Sequence, residues 1–132
     1  MNINKANMLG TALYGNIIFS ALSAALMLLA SNQVAEFTGI PSSMTFVIVG
    51  VGLLGWVAYL LSVRRTHPDY QASAVWSVIG GDLVWVAASA ILLLFDLVPL
   101  TVAGKWAIAI VADMVLLFAI WQYFSLRRMQ SA

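Results

Sequence analysis

The chain has 132 residues, of which 63% are hydrophobic and only 8% are charged. An ordinary soluble domain carries about a quarter charged residues and less than half apolar ones, so a soluble globule is excluded. The net charge of +1 provides neither a basic surface for nucleic acid nor an acidic tail. We therefore expect an integral membrane protein with one domain, residues 1–132, that lies in the lipid bilayer and binds no nucleic acid.

The residue types that usually carry catalysis or hold metals are scarce. Cysteine is absent, and His67 is the single histidine. These counts exclude a disulfide framework, a thiolate metal site and a bis-histidine haem. The sequence also contains no HExxH or GxSxG motif and no glycine-rich phosphate loop. We expect no metal and no cofactor, and an enzyme is the less favoured interpretation because aspartates alone would have to perform the chemistry.

Four apolar stretches are long enough to cross a bilayer, which takes about 20 residues per helix. They are residues 8–30, 44–63, 72–98 and 102–124. The first is too long for the apolar region of a signal peptide and lacks a clear cleavage site, so we expect a retained helix. Because short connections force neighbouring helices to run antiparallel, the sequence predicts an all-α fold, a four-helix up-down bundle in the membrane.

Two of the connections carry local structural signals. In the first, Val34 and Phe37 belong to an apolar pattern with a spacing of three, which predicts a short helix on the membrane interface. In the second, Pro68 with an acidic residue directly after it is typical of the first turn of a helix. We expect the third long helix to begin there, with Thr66 or His67 as its N-cap residue.

The basic residues predict the orientation, since positively charged loops tend to stay in the cytoplasm. Five of the six fall on one side of a four-span arrangement: Lys5, Arg64, Arg65, Arg127 and Arg128. We expect both termini in the cytoplasm and a multi-pass location in a bacterial-type inner (plasma) membrane. Aromatic residues near the ends of the stretches are typical interface anchors: Tyr70, Trp76, Trp106, Trp121 and Tyr123.

Three aspartates lie within the apolar stretches. Asp96 is close to Pro99 and should reach the membrane interface. Asp82 and Asp113 fall within about one turn of the middle of the third and fourth stretches. A carboxyl at that depth costs about 2.5–3.5 kcal/mol and persists only with a partner, water or a proton. The pair therefore predicts a midplane site that binds a proton or a cation.

Other residues at similar depth complete a candidate site. Asn16 lies in the first stretch, Trp56 and Tyr59 in the second, and Trp85 one turn after the aspartate of the third. A small-ligand site is typically apolar and aromatic with a few convergent polar groups, and aromatic faces beside a carboxylate favour a lipophilic cation. The predicted ligand-binding or proton-binding residues are Asn16, Trp56, Tyr59, Asp82, Trp85 and Asp113.

Two functions are compatible with these features. The first is a small binding or transport bundle, a homo-oligomer, in which Asp82 and Asp113 bind a proton, a cation or a small lipophilic ligand. The alternative is a structural or accessory subunit, within a homo-oligomer or a larger membrane complex, whose buried polar residues mediate helix–helix assembly. The sequence leaves both open.

Overall fold

The computed structural model describes residues 3–130. The regular secondary structure of this part of the chain is entirely helical, and these residues contain no strand. Its five helices are α1 (Ile3–Leu29), α2 (Ser31–Thr38), α3 (Met44–Arg64), α4 (Ala72–Leu94) and α5 (Val102–Gln130). All except α2 are long and apolar enough to cross a membrane. The protein therefore has the architecture of a multi-pass membrane protein.

The outer surface of the long helices is mostly apolar. Large side chains such as Leu29, Ile48, Val84 and Leu94 are exposed along their length. In water such a surface would drive aggregation, whereas in a bilayer it faces acyl chains. The helical backbone suits the same environment because it satisfies its own polar groups without water.

The short helix α2 follows α1 directly, as the spacing of Val34 and Phe37 predicted. It ends at Gly39, whose φ of +84° lies in the left-handed region that glycine adopts without strain. The N–H of Gly39 donates to the carbonyl oxygen of Ala35 across 2.9 Å and closes the last turn. This turn leads the chain towards α3.

Thr101 is the N-cap residue of α5 and hydrogen-bonds to the end of α2. Its hydroxyl accepts a hydrogen bond from the N–H of Gly104 at 2.9 Å, which is the bond of an N-cap. The same hydroxyl donates to the carbonyl oxygen of Phe37, and the Thr101 N–H donates to that of Thr38 at 2.9 Å. The end of α2 therefore packs closely on the start of α5.

The connection between α3 and α4 differs from the predicted helix start at Pro68. Residues 65–69 form turns and a bend, and α4 begins only at Ala72. Neither predicted cap residue acts as a cap. The Thr66 hydroxyl donates back to a carbonyl at the end of α3, and the His67 ring bonds to a side chain of α1. The local turn at Thr66 and the tertiary contact of His67 therefore outweigh the helix-start signal of the proline.

The other end of α4 lies at Leu94, earlier than the predicted limit of the third stretch. Asp96 follows with a φ of +48° and pairs with Lys105, the Nζ and Oδ1 atoms lying 3.4 Å apart. Both side chains are exposed. Asp96 is therefore a loop residue outside the long helices.

The long helices pack unevenly around the bundle. α1 lies between α3 and α5, and α4 packs along α5, but α3 and α4 scarcely touch. Near one end of α3, Gly50 lies against Leu28 of α1, where an added Cβ would come within 2.8 Å of the leucine. At its other end, Nε of Arg64 donates to the carbonyl oxygen of Gly10 across 3.1 Å. The backbones of α3 and α4 therefore lie further apart than those of the other neighbouring helices, and side chains such as Trp56 bridge the gap.

Apolar side chains fill one half of this bundle. All four long helices contribute to this core, which includes Leu9, Leu13, Leu60, Val75 and Leu126. These residues lie towards the start of α1 and α4 and towards the end of α3 and α5. The opposite half is less completely filled and contains the cavity described below.

Candidate functional site

Three buried polar side chains meet inside the bundle. Asn16 of α1 donates from Nδ2 to Oδ2 of Asp82 on α4, and Gln122 of α5 donates from Nε2 to the same oxygen, both across 2.9 Å. Nδ2 of Asn16 also lies 3.0 Å from Oε1 of Gln122. The side chains of Asn16, Asp82 and Gln122 are 2%, 4% and 0% exposed. This polar triad links α1, α4 and α5.

Only one of the two carboxylate oxygens of Asp82 accepts hydrogen bonds within the triad. Both hydrogen bonds end on Oδ2, and Oδ1 accepts none from residues 3–130. An unpaired oxygen can be either fully enclosed or in contact with open space. Among the side-chain nitrogen and oxygen atoms of residues 3–130, only the Tyr70 hydroxyl is both unpaired and fully enclosed. Oδ1 of Asp82 therefore retains contact with open space. The Asn16 amide oxygen accepts from the Ser20 hydroxyl at 3.2 Å. The triad therefore offers one free acceptor, on Asp82.

The triad borders a cavity of about 530 Å³, a size typical of small-ligand sites. Asn16 and Asp82 lie at the end nearest the packed core. Most of the remaining wall is apolar or aromatic: Phe19, Leu26, Met27, Val49, Leu53, Trp56, Val84, Trp85, Val111 and Val115. Asp82 is the only ionisable side chain among the described residues that line it. The cavity thus combines a long apolar wall with a single acidic group.

A tryptophan and a glycine close the α3 side of the triad. The indole of Trp56 lies directly against Gly81, and a Cβ at that position would clash with the ring. The absent side chain therefore lets Trp56 pack against the residue that precedes Asp82. Trp85, one turn further along α4, lines the same cavity. The cavity that Asp82 lines therefore also contains two aromatic rings in its wall.

The cavity opens on the lateral face of the bundle where α3 and α4 scarcely touch. Gly52 of α3 and Val84 of α4 both line the cavity and are exposed. A Cβ placed on Gly52 would have no neighbour within 4 Å. The opening therefore faces the surroundings of the bundle sideways, at the level of the long helices.

Four of the six predicted site residues line this cavity: Asn16, Trp56, Asp82 and Trp85. Tyr59 does not. Its ring centroid lies 5.9 Å from that of Trp56, but the side chain is 38% exposed and is not part of the cavity wall. Of the two predicted aromatic residues of α3, only Trp56 therefore lines the cavity.

Asp113 also lies away from the cavity, on the outside of α5. It is exposed whereas its neighbour Ala112 is buried, because successive residues of a helix are turned by about 100°. Within residues 3–130 it has no hydrogen-bond or ion-pair partner. One copy of the chain therefore does not bring Asp113 and Asp82 together as the expected pair of carboxyls.

Gln122 is the site residue that sequence reasoning missed. It lies between Trp121 and Tyr123, which are typical of the membrane interface, so its neighbours did not indicate a buried side chain. A signal was nevertheless present in the spacing of α5, where buried positions alternate by three and four residues: Ala112, Val115, Ala119, Gln122 and Leu126. A polar residue on such an inward stripe must find a partner inside the bundle.

No protein-family model, no curated protein and no solved structure matches the chain. Among the described residues, no group of three or more His, Asp or Glu side chains is placed to hold a metal ion. Function is therefore inferred from the geometry of the polar triad and the cavity.

Proposed function

We propose that this protein binds a small lipophilic ligand with a cationic or hydrogen-donating head in the cavity beside the polar triad. The observation that carries the proposal is Oδ1 of Asp82, an oxygen without a partner in residues 3–130 at the inner end of an apolar cavity. A head group that donates to this oxygen leaves the lipophilic body against Trp56 and Trp85.

The charge of the cavity favours a cation over an anion. Its described lining contains Asp82 and no Lys, Arg or His. The faces of Trp56 and Trp85 add a favourable interaction with a cation, and the attraction to the carboxylate is screened far less here than in water. The same oxygen can accept a proton, so a cation and a proton compete for one site. Such competition is what a proton-coupled transporter requires.

The proposed membrane arrangement is an up-down bundle with both termini in the cytoplasm of a bacterial-type inner (plasma) membrane. Contacts between helix ends support it: Arg64 near the end of α3 bonds to Gly10 near the start of α1. Trp76 near the start of α4 contacts Tyr123 near the end of α5, with ring centroids 5.6 Å apart. These ends carry most of the basic residues, which favours the cytoplasm. The cavity then opens to the outer half of the bilayer.

The first experiment compares two probes of the same shape and opposite charge, tetraphenylphosphonium and tetraphenylborate. Binding to the protein in lipid nanodiscs is followed by calorimetry and by tryptophan fluorescence. We expect saturable binding of the cation alone. Asp82→Asn keeps an acceptor for Asn16 and Gln122, so the variant should fold, yet it should bind the cation about tenfold more weakly or worse. Equal binding of both probes would contradict the proposal.

The second experiment fills the cavity. Gly52 and Gly55 both lie on α3, and a Cβ at either would meet nothing within 4 Å. Only Gly52 lines the cavity. We expect Gly52→Leu to abolish binding of tetraphenylphosphonium and the matched control Gly55→Leu to leave it unchanged. If both variants bind as the wild type does, the cation lies elsewhere.

Transport is measured separately, in proteoliposomes with an imposed pH gradient. A proton-coupled transporter would accumulate tetraphenylphosphonium against its gradient, and Asp82→Asn would stop this accumulation. Binding without accumulation would assign the protein as a binding protein and not as a carrier.

A structural role is the second candidate function, and the polar triad is the observation that favours it. Hydrogen bonds between membrane helices contribute about 0.6–2 kcal/mol each, and the triad joins three helices without any ligand. The chain would then be a structural or accessory subunit of a homo-oligomer or a larger membrane complex. In that case neither the wild type nor Asp82→Asn binds the cation, and the substitution changes the recovery of the complex by native mass spectrometry.

A further inference from the structure

α5 has a second regular stripe, on the side opposite its buried one. Six exposed residues follow one another at alternating spacings of four and three: Trp106, Ile110, Asp113, Leu117, Ile120 and Phe124. We refer to these six residues as the outer α5 stripe. Such a repeat is the contact seam of two helices in a left-handed pair. None of the six lines the cavity, so the outer α5 stripe is free of the site described above.

Asp113 is the only polar residue of this stripe, and it lies in the central part of α5. A carboxyl in contact with acyl chains is strongly unfavourable. Within residues 3–130 nothing offsets this, since Asp113 has no partner and Lys105, two turns earlier on α5, pairs with Asp96. The hydrogen-bond partner that Asp113 requires must come from outside residues 3–130.

We infer that the outer α5 stripe binds the same stripe of a second copy of this chain, with the two Asp113 carboxyls hydrogen-bonded to each other across a two-fold axis. A protonated carboxyl carries one donor and one acceptor, so two of them, or one protonated and one ionised, satisfy each other. A two-fold axis brings identical residues face to face. The apolar residues one turn away on either side, Ile110 and Leu117, then pack around the pair.

A second copy meets the requirement at Asp113 when at least one of the two carboxyls is protonated. Two copies in the same orientation place their Asp113 residues at the same depth, whereas a different protein would need a matching polar group at that level. The basic residue that continues the stripe does not oppose the pairing. Arg127 turns onto its own Tyr123, with Nη1 3.2 Å from the hydroxyl and the guanidinium 5.8 Å from the ring centroid.

The absence of cysteine makes the interface directly testable by single-cysteine cross-linking in membranes. Ile110→Cys and Leu117→Cys place a thiol on the outer α5 stripe, on either side of Asp113. Leu22→Cys on α1 and Ile48→Cys on α3 are exposed controls on other helices. After copper-phenanthroline oxidation we expect disulfide-linked dimers at the two α5 positions and none at the controls. Dimers only at the controls, or at no position, would overturn the inference.

A second measurement tests the carboxyl pair itself, by energy transfer between labelled copies in liposomes at increasing lipid dilution. Asp113→Leu should lower the association constant about threefold to thirtyfold, the range expected for one membrane hydrogen bond. Asp113→Asn should associate as the wild type does, because an amide also donates and accepts. Both variants are first checked for native helix content by circular dichroism. If Asp113→Leu associates as tightly as the wild type, or if the purified chain does not self-associate and the stripe cross-links to another protein, the inference is overturned.

Discussion

Gln122 donates to the same carboxylate oxygen of Asp82 that Asn16 uses, across 2.9 Å and from a position 40 residues further along the chain. One oxygen of Asp82 is thus held from two helices, and the other is left open to the cavity. This division fixes the position of the acid without consuming its capacity to bind. An acid held for packing alone would gain more from having both oxygens paired.

The first prediction concerns Gln122. Gln122→Leu removes a donor from Asp82 and leaves the carboxylate with the amide of Asn16 alone. We expect the free energy of unfolding to fall by about 1–2 kcal/mol, measured by titration with a denaturing detergent in mixed micelles. Gln71→Leu, an exposed position before α4, is the control and should change it by less than about 0.5 kcal/mol. Equal losses in both variants would show that Gln122 is not a positioning residue for Asp82.

The second prediction compares two adjacent glycines. A Cβ on Gly81 would clash with the Trp56 ring, whereas a Cβ on Gly80 would meet nothing within 4 Å. We expect Gly81→Ala to lower the free energy of unfolding by about 1–3 kcal/mol because the indole must move. Gly80→Ala should leave it unchanged or raise it by up to about 1 kcal/mol, since alanine favours a helix.

The cause of that loss can be checked in a second background. If the clash with the ring is responsible, Gly81→Ala should cost less in a Trp56→Leu protein, and the two substitutions should be non-additive. Additive losses would mean that the effect comes from the backbone of α4 and not from the contact of residue 81 with the Trp56 ring.

The sequence was sufficient to predict the helices and two members of the triad, Asn16 and Asp82, because depth along an apolar stretch follows from counting residues. It was not sufficient to tell that Asp82 faces inwards and Asp113 outwards. In a soluble helix the apolar side identifies the interior, but in a membrane both sides are apolar and this signal is weak. The rotation of α5 therefore became clear only from its packing, which buries Gln122 and exposes Asp113. The prediction that a helix begins at Pro68 was wrong for a different reason, because contacts with α1 determine the conformation of that segment.

The third prediction concerns the contact of Arg64 with α1. Its Nε donates to the carbonyl oxygen of Gly10 at 3.1 Å, and its guanidinium lies 5.0 Å from the centroid of the Tyr14 ring. Arg64→Lys keeps the charge, and with it the orientation signal, but loses the planar group that makes both contacts. We expect a loss of about 0.5–1 kcal/mol in the free energy of unfolding, measured as for Gln122.

Arg65 is the matched control for this substitution because it is adjacent, exposed and equally charged. Arg65→Lys should change the free energy of unfolding by less than about 0.5 kcal/mol. If both substitutions cost the same, the loss comes from the lysine side chain at this end of α3 and not from the contacts with Gly10 and Tyr14.

The fourth prediction concerns Tyr70, which the sequence places among the interface anchors and which the structure buries in the apolar core. Its hydroxyl is enclosed and has no hydrogen-bond partner. Burial raises the pKa of Tyr70 above its ordinary value of 10.0, and the nearby positive charge of Arg64 opposes this in part. Tyr70→Phe removes the unpaired hydroxyl, so at neutral pH we expect the free energy of unfolding to rise by about 1 kcal/mol.

The sign of the pH dependence follows from the same raised pKa. Below a pH of about 10, Tyr70 is neutral in both the folded and the unfolded chain and the pKa difference costs nothing. Above it, the unfolded chain loses the proton first, so the wild type loses stability as the pH rises through the folded pKa. Tyr70→Phe lacks this loss, and its advantage over the wild type should widen between about pH 9 and 11. A constant difference over that range, with the exposed control Tyr59→Phe unchanged at neutral pH, would mean that the hydroxyl gains a partner or water in the membrane.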